Sequence, residues 1–390
     1  MRIFFIAAGL IILISSSGKG QVEPPREEGR ARARELGIHV GMMEPGPLNM
    51  ITDVPGVMVG HVTRFEGEDI RTGVTAILPH GGNLFLNKVP GAIYNFNSFG
   101  KMAGSLQVEE LGNIETPIVL TNTLNVGTAV EATVAYMLGL EGNEHVRSVN
   151  ALVGETNDGF LNDIRGQHVR AEDVFGAIDG ARTGAFAEGS VGAGTGTTSF
   201  GYKAGIGSAS RVTDPIGGRT YTVGVLVQAN FGRYLYINGV PFTLEMGREG
   251  SVREDDGSAM VIIATDAPLS DRNLRRMARR SFMGMGRTTG FMSNSSGDFA
   301  IAFSTAYTIP PGGMRQVEDM PALISNHEMN TLFQAVEEAT QEAIYNSLFM
   351  ARTVQGHQGN RSEAIPLDRL VEVMERYNML DLNTRLQRRP

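Results

Sequence analysis

Gly257-Ser258-Ala259-Met260-Val261-Ile262-Ile263-Ala264-Thr265-Asp266-Ala267-Pro268-Leu269 sets a Gly-Ser bond at the mouth of an unbroken apolar run. Six apolar residues in succession, Ala259 to Ala264, are the pattern of a strand covered on both faces. Asp266-Ala267-Pro268 ends the run as a turn. The segment before it, Arg248-Glu249-Gly250-Ser251-Val252-Arg253-Glu254-Asp255-Asp256, is charged and flexible in composition, as an exposed, cleavable loop requires. Together the two segments predict a processing site at which Ser258 becomes a new N-terminus.

Composition narrows the function. A chain of 390 residues with 42% hydrophobic content buries a large core as one big domain or two smaller ones. A net charge of −8 without a Lys/Arg-rich block argues against nucleic acid or an anionic membrane surface as a partner, and a small-molecule ligand fits better. At the start, Met1-Arg2 precedes the short apolar run Ile3 to Ile14 and then Ser15-Ser16-Ser17-Gly18-Lys19-Gly20. This is the layout of a signal peptide over residues 1–20, which predicts a periplasmic or secreted protein with no membrane attachment once the leader is removed; an uncleaved anchor is the alternative. The absence of cysteine removes disulfides, thiolate nucleophiles and Cys-ligated metals, and a lipid-anchored leader with them. Seven histidines (His39, His61, His80, His145, His168, His327, His357) show neither an HExxH motif nor a pair at i,i+4, so each is expected to be structural, and no metal or other cofactor is called for.

Along the chain, residues 21–37 are rich in Pro, Arg and Glu and are expected to form a loosely attached arm. From Ile51 onward, short apolar runs such as Gly56 to Val62 and Thr116 to Leu120 read as strands, and 49 glycines favour tight turns and close backbone approach. Helices are predicted over Thr128 to Leu138, after a cap at Ser270 or Asp271 with Leu274, Met277, Ala278 and Met285 on one face, and after a Ser325/Glu328 capping box. A last helix is expected around Leu367, Leu370, Val371 and Met374. Strands with helices segregated from them indicate a layered α+β architecture.

Four further segments could carry chemistry. In Ser293-Asn294-Ser295-Ser296-Gly297-Asp298, a turn runs into an alternating strand, so Ser296 and Asp298 point the same way and could orient a proton near a nucleophile; an ordinary turn is the plainer reading. In Val225 to Gly232 a strand ends in the amide side chain of Asn230, which could donate to a developing oxyanion or cap a turn. Glu155, after an apolar strand, could recognise a protonated amine at a pocket rim or be a solvated loop charge. The glycine cluster Gly189 to Thr198 lacks both phosphate-loop spacings and an apolar strand leading into it, and reads as a backbone-dense loop near a small substrate.

Taken in order, the blocks Asn49 to Val57, Thr72 to Pro79, Leu120 to Gly127, 153–163, 192–211, 225–232, 257–269 and 293–304 resemble the DmpA-type N-terminal-nucleophile aminopeptidases, the S58 group of L-aminopeptidase/D-esterases and β-peptidyl aminopeptidases. The resemblance implies a four-layer αββα sandwich of the DmpA/ornithine acetyltransferase type. It implies a precursor that cuts its own Gly257-Ser258 bond into an α chain (21–257) and a β chain (258–390) that stay associated as one catalytic domain. It further implies Ser258 as nucleophile, Ser296 and Asp298 as the proton-handling set, Asn230 as oxyanion donor and Glu155 as the holder of the substrate amine. The family pattern commonly has Glu at the position of Asp298, one methylene longer. Gly250-Ser251 is a rival scissile bond, but Val252-Arg253-Glu254-Asp255-Asp256 cannot enter a buried strand, so Ser258 is preferred. Asn97-Ser98-Phe99-Gly100-Lys101 resembles the β-aminopeptidase version of its loop.

The leading expectation is therefore a self-processing aminopeptidase acting on short peptides, amides or esters, with a homo-oligomer implied by the resemblance. An acyltransferase of the ornithine acetyltransferase type is a rival, although its nucleophile is typically threonine. A periplasmic ligand-binding protein on the same fold, without self-cleavage, is the non-enzymatic rival.

Overall fold

The apolar run after Ser258 is a central strand, Gly257–Thr265, whose alternate residues enter two different cores. Ala259, Val261 and Ile263 pack against helices, while Met260, Ile262 and Ala264 pack against a second sheet. The division follows from the two-residue period of a strand. The computed structural model describes residues 29–248, 257–289, 293–311 and 320–383. The expected leader and the rival Gly250-Ser251 bond lie outside the described residues.

In chain order the layer-forming strands are β1 (Met58–Glu66), β2 (Ile70–Leu78), β3 (Val89–Ser98), β4 (Asn113–Ile114) and β5 (Ile118–Asn122). They continue with β6 (Leu152–Thr156), β7 (Ile206–Val212), β8 (Thr222–Asn230), β9 (Gly257–Thr265) and β10 (Ser296–Ser304). One sheet has the order β1-β2-β5-β6 and the other β4-β3-β10-β9-β8-β7. Pairs β5/β6 and β9/β10 are parallel, and the remaining neighbours are antiparallel.

Helices α1 (Val126–Leu138) and α2 (Ala171–Asp179) cover the outer face of the first sheet through Ala129, Ala132, Val174 and Ala177. On the second sheet, α3 (Asp271–Gly286) and α4 (Met329–Phe349) do the same through Leu274, Met277, Val336 and Ile344. Between the sheets lies a third core, in which Ile77, Leu120 and Leu152 meet Leu226, Ile262 and Ile301. The order is helix, sheet, sheet, helix, as the αββα expectation required. Each fully buried aliphatic side chain in these layers contributes roughly 1.5–3 kcal/mol.

The local signals act largely as read. Ser270 Oγ accepts from the Asn273 N–H at 3.4 Å and starts α3. The Glu328 carboxylate accepts from the Ser325 hydroxyl at 2.9 Å, but that box opens a short 3-10 turn, Asn326–Glu328, which then runs into α4. A final helix spans Leu367–Arg376.

The arm is a correction. Its described part, from residue 29, is not loosely attached, because its arginines find buried partners far along the chain. Arg32 donates to the carbonyls of Asn49 and Ser208, both at 2.7 Å, and pairs with Glu188 at 2.8 Å. Arg34 reaches Glu342 on α4 at 3.1 Å, and the fully buried Arg211 on β7 binds the same carboxylate at 2.6 Å.

The seat of α4 on β7 depends on Gly207. A Cβ there would stand 2.0 Å from the Ala343 carbonyl oxygen and 2.4 Å from the Ser347 nitrogen, both backbone atoms that cannot step aside. Gly207→Ala is expected to lower the unfolding free energy by about 1–3 kcal/mol or more, read as a lower denaturant midpoint. A wild-type midpoint would show that the helix has room to move.

Candidate active site

Strand ends from three neighbours meet at one edge of the second sheet. β9 and β10 begin there and β8 ends there, so the register sets Ser258 opposite Asn230 on one side and Gly297 on the other. By parity with Met260 and Leu226, Ser258 and Asn230 face the space between the sheets. Ser296 and Asp298 share the parity of Ala300 and Ala302, which face the helices. The four residues therefore converge on one edge but occupy two faces of it.

Ser258 Oγ accepts two hydrogen bonds, from Asn230 Nδ2 at 3.1 Å and from the backbone N–H of Asn157 at 3.2 Å. Asn230 Oδ1 in turn accepts from the Thr198 N–H at 3.1 Å, which fixes the amide with its donor toward Ser258. Two amide donors aimed at one oxygen stabilise negative charge on it. Asn157 was not singled out from the sequence. It stands two residues beyond Glu155 in a segment whose only visible mark was the turn-forming Asn-Asp-Gly, and a backbone donor leaves no signature in residue type.

On the other face, Ser296 lies against Gly257. A Cβ on Gly257 would be 2.7 Å from Ser296 Oγ, so glycine before Ser258 lets the Ser296 hydroxyl keep this position. Asp298 is fully buried, and burial pushes its carboxyl up to about 6 while the nearby Ser296 hydroxyl pulls it down. Neither carboxylate oxygen makes a hydrogen bond of ordinary geometry to a described residue. Beside it the β3 pairing skips Phe96, a bulge of the kind that re-aims side chains near functional sites. Ser296 and Asp298 do share one face of their strand, but it is the face away from the Ser258 hydroxyl, with Ser296 against Gly257 and Asp298 opposite Ala259.

Glu155 is not a solvated loop charge. It sits inside β6 at 4% exposure, accepts from the Thr123 hydroxyl and from the Lys101 N–H at 3.1 Å, and has Lys101 Nζ at 3.9 Å. Burial raises its pKa, against the lowering effect of Thr123 and Lys101. The loop Asn97 to Lys101 thus closes over this carboxylate, linking the end of β3 to β6.

The glycine-rich loop holds a buried amine and not a phosphate. The fully buried Lys203 donates to the carbonyls of Gly194, at 2.9 Å, and Ala204, and burial pushes its pKa well down. Carbonyl oxygens facing inward to an amine are the reverse of an anion cradle. Beyond that loop, a cavity of about 410 Å³ has Asn157, Thr198, Ser199 and Asn230 in its wall. Five histidines have described partners within the fold: half-buried His61 meets Thr75 at 2.9 Å with its pKa pushed down to about 4 by desolvation, His168 and His357 face Asp163 and Asp69, His39 lies by Arg34 and Asp381, and His80 bonds the Asn87 carbonyl.

The model of peptidase family S58 matches residues 49–362. The chain belongs to peptidase family S58. It is 37% identical to the beta-peptidyl aminopeptidase BapA of Sphingosinicella microcystinivorans, over 96% of this chain and 97% of the relative. Among solved structures it is similar to the PH0078 protein of Pyrococcus horikoshii OT3, with 48% identity, a TM-score of 0.84 and coverage of 89% and 99%. It is also similar to the L-aminopeptidase D-Ala-esterase/amidase of Ochrobactrum anthropi, described as a prototype for the serine aminopeptidases and a variant of the Ntn hydrolase fold. That match has 37% identity, a TM-score of 0.82 and coverage of 90% and 99%. Membership of S58 makes the chain a peptidase of the hydrolase class, with aminopeptidases as relatives.

Proposed function

We propose that Ser258 cuts the bond that precedes it and then acts as the nucleophile of an aminopeptidase for short peptides, amides or esters. The observation that carries this is the pair of amide donors, Asn230 Nδ2 and Asn157 N–H, trained on Ser258 Oγ. In the precursor, Oγ attacks the Gly257 carbonyl carbon, the Gly257-Ser258 C–N bond breaks, and the hydroxyl proton ends on the nitrogen. Water then hydrolyses the resulting ester, leaving a Gly257 carboxylate and a free Ser258 amine. That amine titrates nearer neutrality than a lysine, so it can take the Oγ proton as general base when a substrate carbonyl is attacked. The leaving amine of the substrate receives the proton, and a second water releases the acyl group.

Geometry divides the labour. Asn230 and Asn157 serve the oxygen on the inter-sheet face. Ser296, lying against Gly257, borders the place where the new amine appears, and Asp298 stands two residues further along the same face, opposite Ala259. Glu155, already holding Lys101, takes the substrate's ammonium by a charge-assisted contact. The β-peptidyl relative, together with the loop Asn97 to Lys101 folded over Glu155, favours β-aminoacyl substrates as a second reading. Relative hydrolysis rates of α- and β-aminoacyl amides decide between the two.

Ser258→Ala is expected to give a single full-length band on denaturing electrophoresis where wild type gives two. Wild-type protein that stays in one piece sinks the self-processing reading. Asn230→Ala in processed protein should lower kcat by about 10²–10³ with the fold retained, and near-normal turnover would remove Asn230 from the site.

The pH profile tests the other face. Asp298, shifted up to about 6 by burial, is charged above that pH, and a carboxylate beside an ammonium favours the protonated amine. The acid limb of kcat/KM, set by loss of the neutral amine, should therefore move to lower pH in Asp298→Asn. A limb at the wild-type position would separate Asp298 from the amine.

A further inference from the structure

We propose that the cavity beside Ser258 is the subsite for the leaving portion of the substrate, and that Arg361 and Arg248 recognise a free C-terminal carboxylate in it. The inference rests on the aminopeptidase reading and adds where the peptide must end.

Two wall residues, Asn157 and Asn230, are the donors to Ser258 Oγ, so a carbonyl carbon brought to that oxygen opens directly into the cavity. Glu155 is not in the wall; its partners are Thr123 and Lys101. An N-terminal residue stretched from Glu155 to Ser258 leaves the cavity to whatever follows the scissile bond. Phe160, Ile164, Phe200 and Phe231 give a mixed wall its apolar part, and a volume of about 410 Å³ is that of a small-ligand site. The chain of a long polypeptide would have to leave it again.

What stands in the same wall is a pair of guanidiniums, Arg248 and Arg361. Glu363 approaches both without lining the cavity, at 3.6 Å from Arg248 Nη1 and 3.9 Å from Arg361 Nε. At that separation Arg361 makes no hydrogen bond to Glu363, and its fork remains presented to a ligand. A planar guanidinium is the donor best matched to a carboxylate. The order of groups, amine-binding carboxylate, nucleophile, cavity with an aromatic portion, guanidiniums, reads a substrate from one terminus to the other, and so favours dipeptides over amides, esters and longer chains.

The test compares a dipeptide ending in phenylalanine with its C-terminal amide, using processed wild type and the variants Arg361→Gln and Arg248→Gln. Wild type should favour the acid by about tenfold or more in kcat/KM, and the ratio should fall toward one in each variant. Arg361 is more than half exposed, so its variant answers without threatening the fold, whereas Arg248 also packs over Tyr202. Calorimetric titration with phenylalanine and phenylalaninol, neither of which has a bond to hydrolyse, reads the same subsite without turnover, and tighter binding of the acid that is lost in Arg361→Gln supports the assignment. An acid-to-amide preference near one in wild type, or one unchanged in both variants, overturns it and leaves the cavity to the substrate's first side chain. Hydrolysis of neither compound, with acid-selective binding intact, instead overturns the aminopeptidase reading alone.

Discussion

The register of β9 between β8 and β10 is the constraint on which the site depends. Both faces of the strand are buried, and they are not interchangeable: Ala259, Val261 and Ile263 fit under the helices, while Met260, Ile262 and Ala264 fill the space between sheets. A slip of one residue would exchange these sets and turn Ser258 away from Asn230. Hydrophobic packing along the strand thus fixes the position of a hydroxyl at its end. The parallel pairing with β10 extends the same control to the other face, because Gly257 and Ser296 are opposed in the ladder that sets Ser258 opposite Gly297.

Around that edge the chain buries groups that do not favour burial. Asp298 and Asp158 are pushed up to about 6 and about 7 by desolvation, Lys203 is pushed down, and Glu155 is raised despite its partners. Such groups cost stability, and three contiguous cores offset the cost. Asp158 illustrates what the arrangement gains. Its carboxylate accepts from Asn162 Nδ2 at 3.0 Å, and its own carbonyl accepts from the N–H groups of Leu161 and Asn162, so the turn that carries the Asn157 donor is held from beneath. A donor that does not have to reorganise when charge develops is worth more than one that does.

Much of this was legible in the sequence, and the limits have physical causes. The β9 run, the Ser270 cap of α3, the Ser325/Glu328 box and the strand ending at Asn230 are local patterns, and the structure places each close to where it was read. What escaped depends on partners far apart in the chain. The arm looked solvated because charge is its local property, yet Arg32 meets Ser208 and Arg34 meets Glu342. Asn157 escaped because its contribution is a backbone N–H. The separation of Ser258 from Ser296 and Asp298 onto two faces needed the register, since each strand's parity is visible alone but their relation is not.

That separation bears on why processing and catalysis would be coupled on the proposed reading. While Gly257 is joined to Ser258, the nitrogen between them is an amide with no basicity, and Gly257 occupies the place beside Ser296. Asn230 and Asn157 already address the hydroxyl oxygen in this state, so half of the machinery needs no cleavage to form. On that reading cleavage would convert the amide into an amine near Ser296, while the register of the strand is set from Ala259 onward by the two cores. The base would thereby be created in place, on the face opposite the two donors to Ser258 Oγ, and a substrate carbonyl would take the position that the Gly257 carbonyl had left.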